Sequence, residues 1–178
     1  MEIYLVRHTE TICEKGICYG QSDVGIAEPF DLVFENILSQ LPDEAVIFSS
    51  PLKRCSLLAK HIQSKIKTIS YQENDHLKEM NFGDWEMKNW NDILPEQLNP
   101  WMEDFVNIPA VNGESFTELH QRVGEFLSDL ISRKINKPII IVTHAGVIRS
   151  ILCHQTSLPL KDAFQNKVDF GEVLKIVL

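Results

Sequence analysis

"KPIIIVTHAGVIRSILCH", residues 137–154, sets four apolar β-branched residues, Ile139–Val142, in an unbroken row and follows them at once with Thr143, His144 and the small pair Ala145-Gly146. A strand with one wet face alternates apolar and polar side chains, so an unbroken row belongs to a strand covered on both faces. From Ala145-Gly146 onward the chain reads as a helix that starts where the strand stops. A doubly covered strand running straight into a helix is the repeating unit of a parallel sheet.

The same scheme recurs upstream. Ile3–Val6 is a short β-branched and aromatic run, and 29–41 places Phe30, Val33, Phe34, Ile37, Leu38 and Leu41 at helical spacing. In "AVIFSSPLKRCSLLAKHIQSKI", residues 45–66, Ala45–Phe48 reads as a strand. Ser49-Ser50 can cap the helix that follows, Pro51 suits its first turn, and Leu52, Leu57, Leu58 and Ile62 form its stripe. Thr68–Tyr71 predicts a further strand. "NGESFTELHQRVGEFLSDLISRKI", residues 112–135, predicts an amphipathic helix with a Ser115/Glu118 capping box and a core face of Phe116, Leu119, Val123, Phe126, Leu127 and Leu130. The closing "EVLKIVL" predicts one more strand.

Alternating strands and helices define an α/β protein: a three-layer α/β/α sandwich around a mostly parallel sheet, formed as a single domain over residues 1–178. Ligands in such sheets bind beyond the carboxyl ends of the strands.

Composition narrows the function. The formal charge is −8, from 17 Lys and Arg against 25 Asp and Glu, which disfavours nucleic acid and anionic membrane as partners. No apolar run reaches the roughly 20 residues of a membrane span, and the start lacks a signal-peptide layout, so the expectation is a cytoplasmic protein. Cys13, Cys18, Cys55 and Cys153 have neither metal-type spacing nor the density of a disulfide scaffold. His61, His76, His120 and His154 form no metal motif, with His61 and His120 read as surface or packing residues on helices. No G-x-G-x-x-G follows the first strand, which argues against a dinucleotide cofactor, and no cofactor or metal is expected.

Three strand ends carry the chemistry. Arg7 and His8 follow the first strand, Arg54 lies in the first turn after the second, and His144 follows Ile139–Val142. Two guanidiniums and the N–H groups of helix N-termini suit a phosphate dianion, because forked donors match its oxygens. A neutral histidine among arginines is a nucleophile for phosphorus, and His8 opens the first loop beside Arg7. The leaving oxygen needs a proton, for which the "LKEMNFGDWE" loop offers Glu79, Asp84 and Glu86; spacing alone does not choose among them.

In their order along the chain, "LVRHTET", "SSPLKRCSLLA", "LKEMNFGDWE", "NGES" and "IVTHAGVIRSIL" resemble the histidine phosphatase superfamily, the phosphoglycerate mutase-like group, over nearly all of the sequence. The resemblance implies that His8 is the phosphorylated nucleophile, that Arg7, Arg54 and His144 form the phosphate pocket, and that Glu79 is the proton donor. Within the superfamily "GICYGQSDV" and "FGDWE" look most like the α-ribazole phosphatase branch, implying α-ribazole 5'-phosphate or the corresponding phosphorylated cobalamin as substrate and inorganic phosphate as product. Thr9 stands where the family commonly has glycine, and Glu14 where mutases carry asparagine.

The expected activity is therefore a metal-independent phosphomonoesterase acting on a small molecule. The alternatives are a broad-specificity sugar or nucleotide phosphatase, a phosphoglycerate mutase-like enzyme, or a non-catalytic phosphate-binding module. The chain has little spare sequence for insertions, which predicts an open site where water reaches the phosphohistidine and hydrolysis wins. Tyr19, Gln21, Ser22, Glu114 and Trp85 are the candidates for holding the alcohol half of the substrate. Asp84 and Glu86 are alternatively braces of their loop. Trp90 and Trp101, expected to be exposed, allow either a homodimer interface or a cover for the site.

Overall fold

The computed structural model describes residues 1–178. Five strands, β1 (Glu2–Arg7), β2 (Glu44–Ser49), β3 (Lys67–Glu73), β4 (Ile139–Thr143) and β5 (Val173–Val177), form one sheet in the order β3-β2-β4-β1-β5. β4 is the central strand, parallel to both neighbours, with Ile139 opposite Ile3 of β1 and Val46 of β2. β5 alone runs antiparallel, on the edge beside β1. All five residues of β4 are buried, as its unbroken apolar row requires.

Side chains alternate across the sheet and so feed two cores. Ile3, Leu5, Val46, Phe48, Ile139 and Ile141 face α4 (Phe116–Ser132) and α5 (Ala145–Thr156). Tyr4, Val6, Ala45, Ile47, Ile140 and Val142 face α1 (Asp31–Leu38) and α2 (Lys53–Lys65). The result is the three-layer α/β/α architecture expected from the sequence.

The six predicted core residues of α4 are all buried, and its capping box is formed: Glu118 N–H donates to Ser115 Oγ while Ser115 N–H donates to the Glu118 carboxylate. The start of α2 differs from expectation. The helix begins at Lys53 with Leu52 as N-cap and no side-chain cap from that residue; Ser50 Oγ accepts from Leu52 N–H at 3.3 Å and lies 2.8 Å from His144 Nε2. Leu57 is exposed, whereas Cys55, Leu58, Ala59 and Ile62 are buried; those four positions follow i, i+3, i+4, i+7, and Leu57 lies off that stripe.

The segment between β3 and α4 contains short 3₁₀ turns at Asp75–Leu77, Gly83–Trp85 and Trp90–Asp92, and one helix, α3 (Pro95–Glu103). It is held by its own small core of Cys18, Trp85, Ile93 and Ala110. Trp90 and Trp101, expected to be exposed, stack on each other 5.7 Å apart and pack edge-on to Trp85 and Phe82. No helix is long and apolar enough to cross a membrane.

Candidate active site

Because β1, β2 and β4 are parallel neighbours, their carboxyl ends share one edge of the sheet. The register sets Arg7 beside Thr143 and Ser49 beside Val142. Arg7, His8, Arg54 and His144 are thereby brought together at that edge, and the His8 and His144 rings meet edge to face with centroids 5.1 Å apart.

His8 is 3% exposed, and Phe170, just before β5, lies 5.5 Å from its ring. His8 Nδ1 is 2.7 Å from the Thr9 carbonyl oxygen. A carbonyl can only accept, so Nδ1 carries the proton and Nε2 keeps its lone pair. Burial, with Arg54 and Arg7 adding repulsion, pushes the pKa of His8 well below the usual imidazole range. His144 is pushed the same way by burial, then by His8 and Arg54, and lies within reach of Ser50 Oγ and, at 3.5 Å, of Cys55 Sγ. Both rings are therefore neutral at neutral pH.

The arginines are anchored through main-chain carbonyls. Arg7 Nη1 donates to the Val168 carbonyl at 2.7 Å. Arg54, fully buried, donates from Nη1 to the Ser22 carbonyl at 2.8 Å and from Nη2 to the Gly20 carbonyl. The Nε groups of both are buried with no acceptor in the protein. Two orphaned cationic donors beside a neutral imidazole form an anion site, since buried donors are ordinarily satisfied.

Of the three carboxylates that the sequence left open, the fold gives each a different place. Glu79 sits at the N-terminus of α5, where Gly146 N–H donates to Oε2 at 3.2 Å, and Met80 N–H donates to Oε1 at 3.0 Å. A Cβ at Gly146 would stand 2.3 Å from Glu79 Oε1, so glycine is needed for that approach. Asp84 accepts from Asn112 Nδ2 at the exposed surface. Glu86 accepts from Gln21 and Phe82 N–H at Oε1 and from Gly20 N–H, Ser22 N–H and Ser22 Oγ at Oε2. Burial alone would raise its pKa, but the Ser22 hydroxyl and the Gly20, Gln21 and Phe82 amides outweigh burial and hold it below the ordinary carboxylate range. Glu86 thus braces the loop whose carbonyls hold Arg54.

The candidates for the alcohol half separate in the same way. Tyr19, whose hydroxyl accepts from Thr11 Oγ1, lines a cavity of about 220 Å³ with Thr11, Glu14 and Phe170. Gln21 Nε2 donates to the Glu79 carbonyl, and Ser22 is tied to Glu86 and Arg54. Trp85 is 1% exposed inside its aromatic cluster, away from any cavity wall. Glu114 takes two hydrogen bonds from Arg122 and one from Asn81 N–H, so its oxygens are committed to the fold. Sequence reasoning missed Phe170 and Ser50: neither carries a charge, and only the sheet's closure by β5 and the His144 contact reveal them.

A family model of the histidine phosphatase superfamily, branch 1, matches residues 3–178. The chain belongs to the histidine phosphatase superfamily. Among superfamily proteins, the adenosylcobalamin/alpha-ribazole phosphatase of Escherichia coli is 27% identical over 177 residues, covering 96% of this chain and 87% of that protein. A putative phosphoserine phosphatase 2 of Hydrogenobacter thermophilus is 30% identical over 182 residues, covering 98% and 88%. Among solved structures, the alpha-ribazole phosphatase of Shigella flexneri superposes with a TM-score of 0.89 at 26% identity, over 100% of this chain and 91% of that one. This histidine phosphatase therefore shares both sequence and architecture with phosphatases along its whole length.

Proposed function

We propose that the protein is a phosphomonoesterase working through a phosphohistidine on His8, with α-ribazole 5'-phosphate or adenosylcobalamin 5'-phosphate as substrate. One observation carries the chemistry: His8 is neutral, its Nδ1 is committed to the Thr9 carbonyl so that Nε2 keeps its lone pair, and the Nε groups of Arg7 and Arg54 are buried without an acceptor. The substrate assignment is supported by the names of the relatives.

His8 Nε2 attacks phosphorus and forms the N–P bond as the ester P–O bond breaks. Glu79 gives its proton to the leaving alkoxide. Water then attacks the phosphohistidine, Glu79 takes back a proton, and inorganic phosphate leaves with His8 restored. Phosphoryl transfer spreads charge over three equatorial oxygens, so Arg7, Arg54 and His144 act by holding those oxygens. The guanidiniums supply the positive charge, and the scheme calls for no metal ion.

The chemistry is tested by mixing enzyme with substrate labelled at phosphorus and quenching in alkali, which preserves phosphohistidine. Label should remain on the wild-type protein and be absent from His8→Ala. The substrate is tested by kcat/KM on α-ribazole 5'-phosphate, phosphoserine, 3-phosphoglycerate and an aryl phosphate. A preference of at least tenfold for the first is expected; equal slow rates on all four would overturn the assignment.

A further inference from the structure

Each guanidinium of the proposed phosphate pocket lies beside an aromatic ring. Arg7 Cζ lies 3.7 Å from the centroid of Phe170, and Arg54 Cζ lies 5.4 Å from that of Tyr19. Both rings line the same cavity of about 220 Å³, together with Glu10, Thr11, Glu14 and Lys15. That cavity shares Cys13, Glu14 and Ile17 with a second, largely apolar groove of about 410 Å³, whose walls include Ile12, Val24 and Met87. Ile12 and Met87 are exposed there, although each is large and apolar.

Phe170 and Tyr19 thus touch Arg7 and Arg54 and also form part of this cavity's wall, which places both rings where the alcohol half of an ester held by the two arginines would be met. Aromatic faces favour a planar ring, and a second ring slotted beside them gains contact without any charge. The charges at this mouth count the other way. Glu10 and Glu14 outnumber Lys15, so a carboxylate on the alcohol half meets net repulsion beside its own phosphate.

We propose that Tyr19 and Phe170 are specificity-determining residues that select esters whose alcohol half is neutral and carries a planar ring, and that Glu10 and Glu14 reject alcohols bearing a carboxylate. The selection rests on the phosphatase reading above. Phe170 also restrains Arg7, so total activity is a poor measure; the ratio of rates on two esters cancels that effect.

The test is kcat/KM of the full chain on benzyl phosphate, ethyl phosphate and 3-phosphoglycerate, for wild type, Phe170→Ala, Tyr19→Ala and Glu14→Lys. Wild type should prefer benzyl to ethyl phosphate by about tenfold, and each alanine variant should cut that preference by roughly threefold to tenfold, as expected for loss of one aromatic wall. Glu14→Lys should raise 3-phosphoglycerate relative to ethyl phosphate. An unchanged benzyl-to-ethyl ratio in both alanine variants overturns the selection while leaving the phosphatase reading intact. A wild-type protein that turns over none of the three esters and forms no phosphohistidine overturns both.

Discussion

Glu86→Gln isolates a positioning effect from the chemistry. The carboxylate receives five hydrogen bonds, two at Oε1 and three at Oε2. If the amide keeps its oxygen at the Oε2 position, its NH₂ group faces Gln21 and Phe82 N–H, donor against donor. Two unsatisfied amides at about 1–3 kcal/mol each give about 2–6 kcal/mol; because the site is only half buried, water can partly replace the acceptor, and about 2–3 kcal/mol is expected. For a protein of this size that lowers Tm by about 4–12 °C. The damage should not stop at stability. Gly20 and Ser22 are held by Glu86 and in turn hold Arg54 through their carbonyls, so loosening the loop loosens a proposed phosphate ligand. The assays are urea unfolding and inhibition by inorganic phosphate. Both the stability loss and a roughly tenfold weaker phosphate Ki, worth about 1.4 kcal/mol, are expected. A variant that loses stability but binds phosphate as tightly as wild type would refute the link from Glu86 to Arg54; one that loses neither would refute the bracing role itself.

Two further predictions follow from the same geometry. Gly146→Ala puts a methyl group 2.3 Å from Glu79 Oε1, and since a flexible carboxylate can swing away, Tm should stay level or rise slightly while kcat loses part of the roughly 10²- to 10⁴-fold that a positioned general acid contributes; a full-rate variant would remove Glu79 from the mechanism. His8 and His144 are held neutral in the fold with pKa values well below 6.5, and burial with the neighbouring His154 pushes His120 down to about 4, so below pH about 6.5 the unfolded chain binds three protons that the folded chain does not. Unfolding free energy should therefore fall as pH falls, by up to about 4.1 kcal/mol per unit for three groups, until the folded pKa values are reached. Urea unfolding at pH 7.5, 6.0 and 5.0 checks the sign, and stability that is flat over this window would show that the three rings are not held neutral.

Much of this arrangement was legible in the chain. An unbroken apolar row predicts a central strand, and polar residues at three parallel strand ends must converge, because a parallel sheet has one carboxyl edge. What was not legible lacks a periodic signature. α3 buries no residue and carries Pro100 inside it, so it shows no apolar stripe to read. By spacing alone Glu79, Asp84 and Glu86 are equivalent, and in the fold the donors around each separate them. Phe170 reads as one more apolar residue before the last strand until the antiparallel edge turns it onto Arg7.

The same reasoning separates the arginines suited to hold phosphate from the rest. Arg122 is as well bonded as any in the chain, to the carbonyls of His76, Lys78 and Glu79, but it also meets Glu114 at 2.6 Å. The carboxylate cancels its charge, and the pair ties the loop before Glu79 to α4. Arg7 and Arg54 are held by carbonyls alone. A carbonyl fixes the direction of a guanidinium yet leaves its full charge unspent, and burial then makes that charge costly until an anion arrives. A chain of net charge −8 can thus concentrate positive potential at one sheet edge, provided no carboxylate is paired with the arginines there. Glu79 accepts from the Gly146 amide of α5 and from Met80 N–H, and Glu86 accepts from loop amides. Acid groups stand close to the pocket without quenching it, because backbone N–H donors occupy them first.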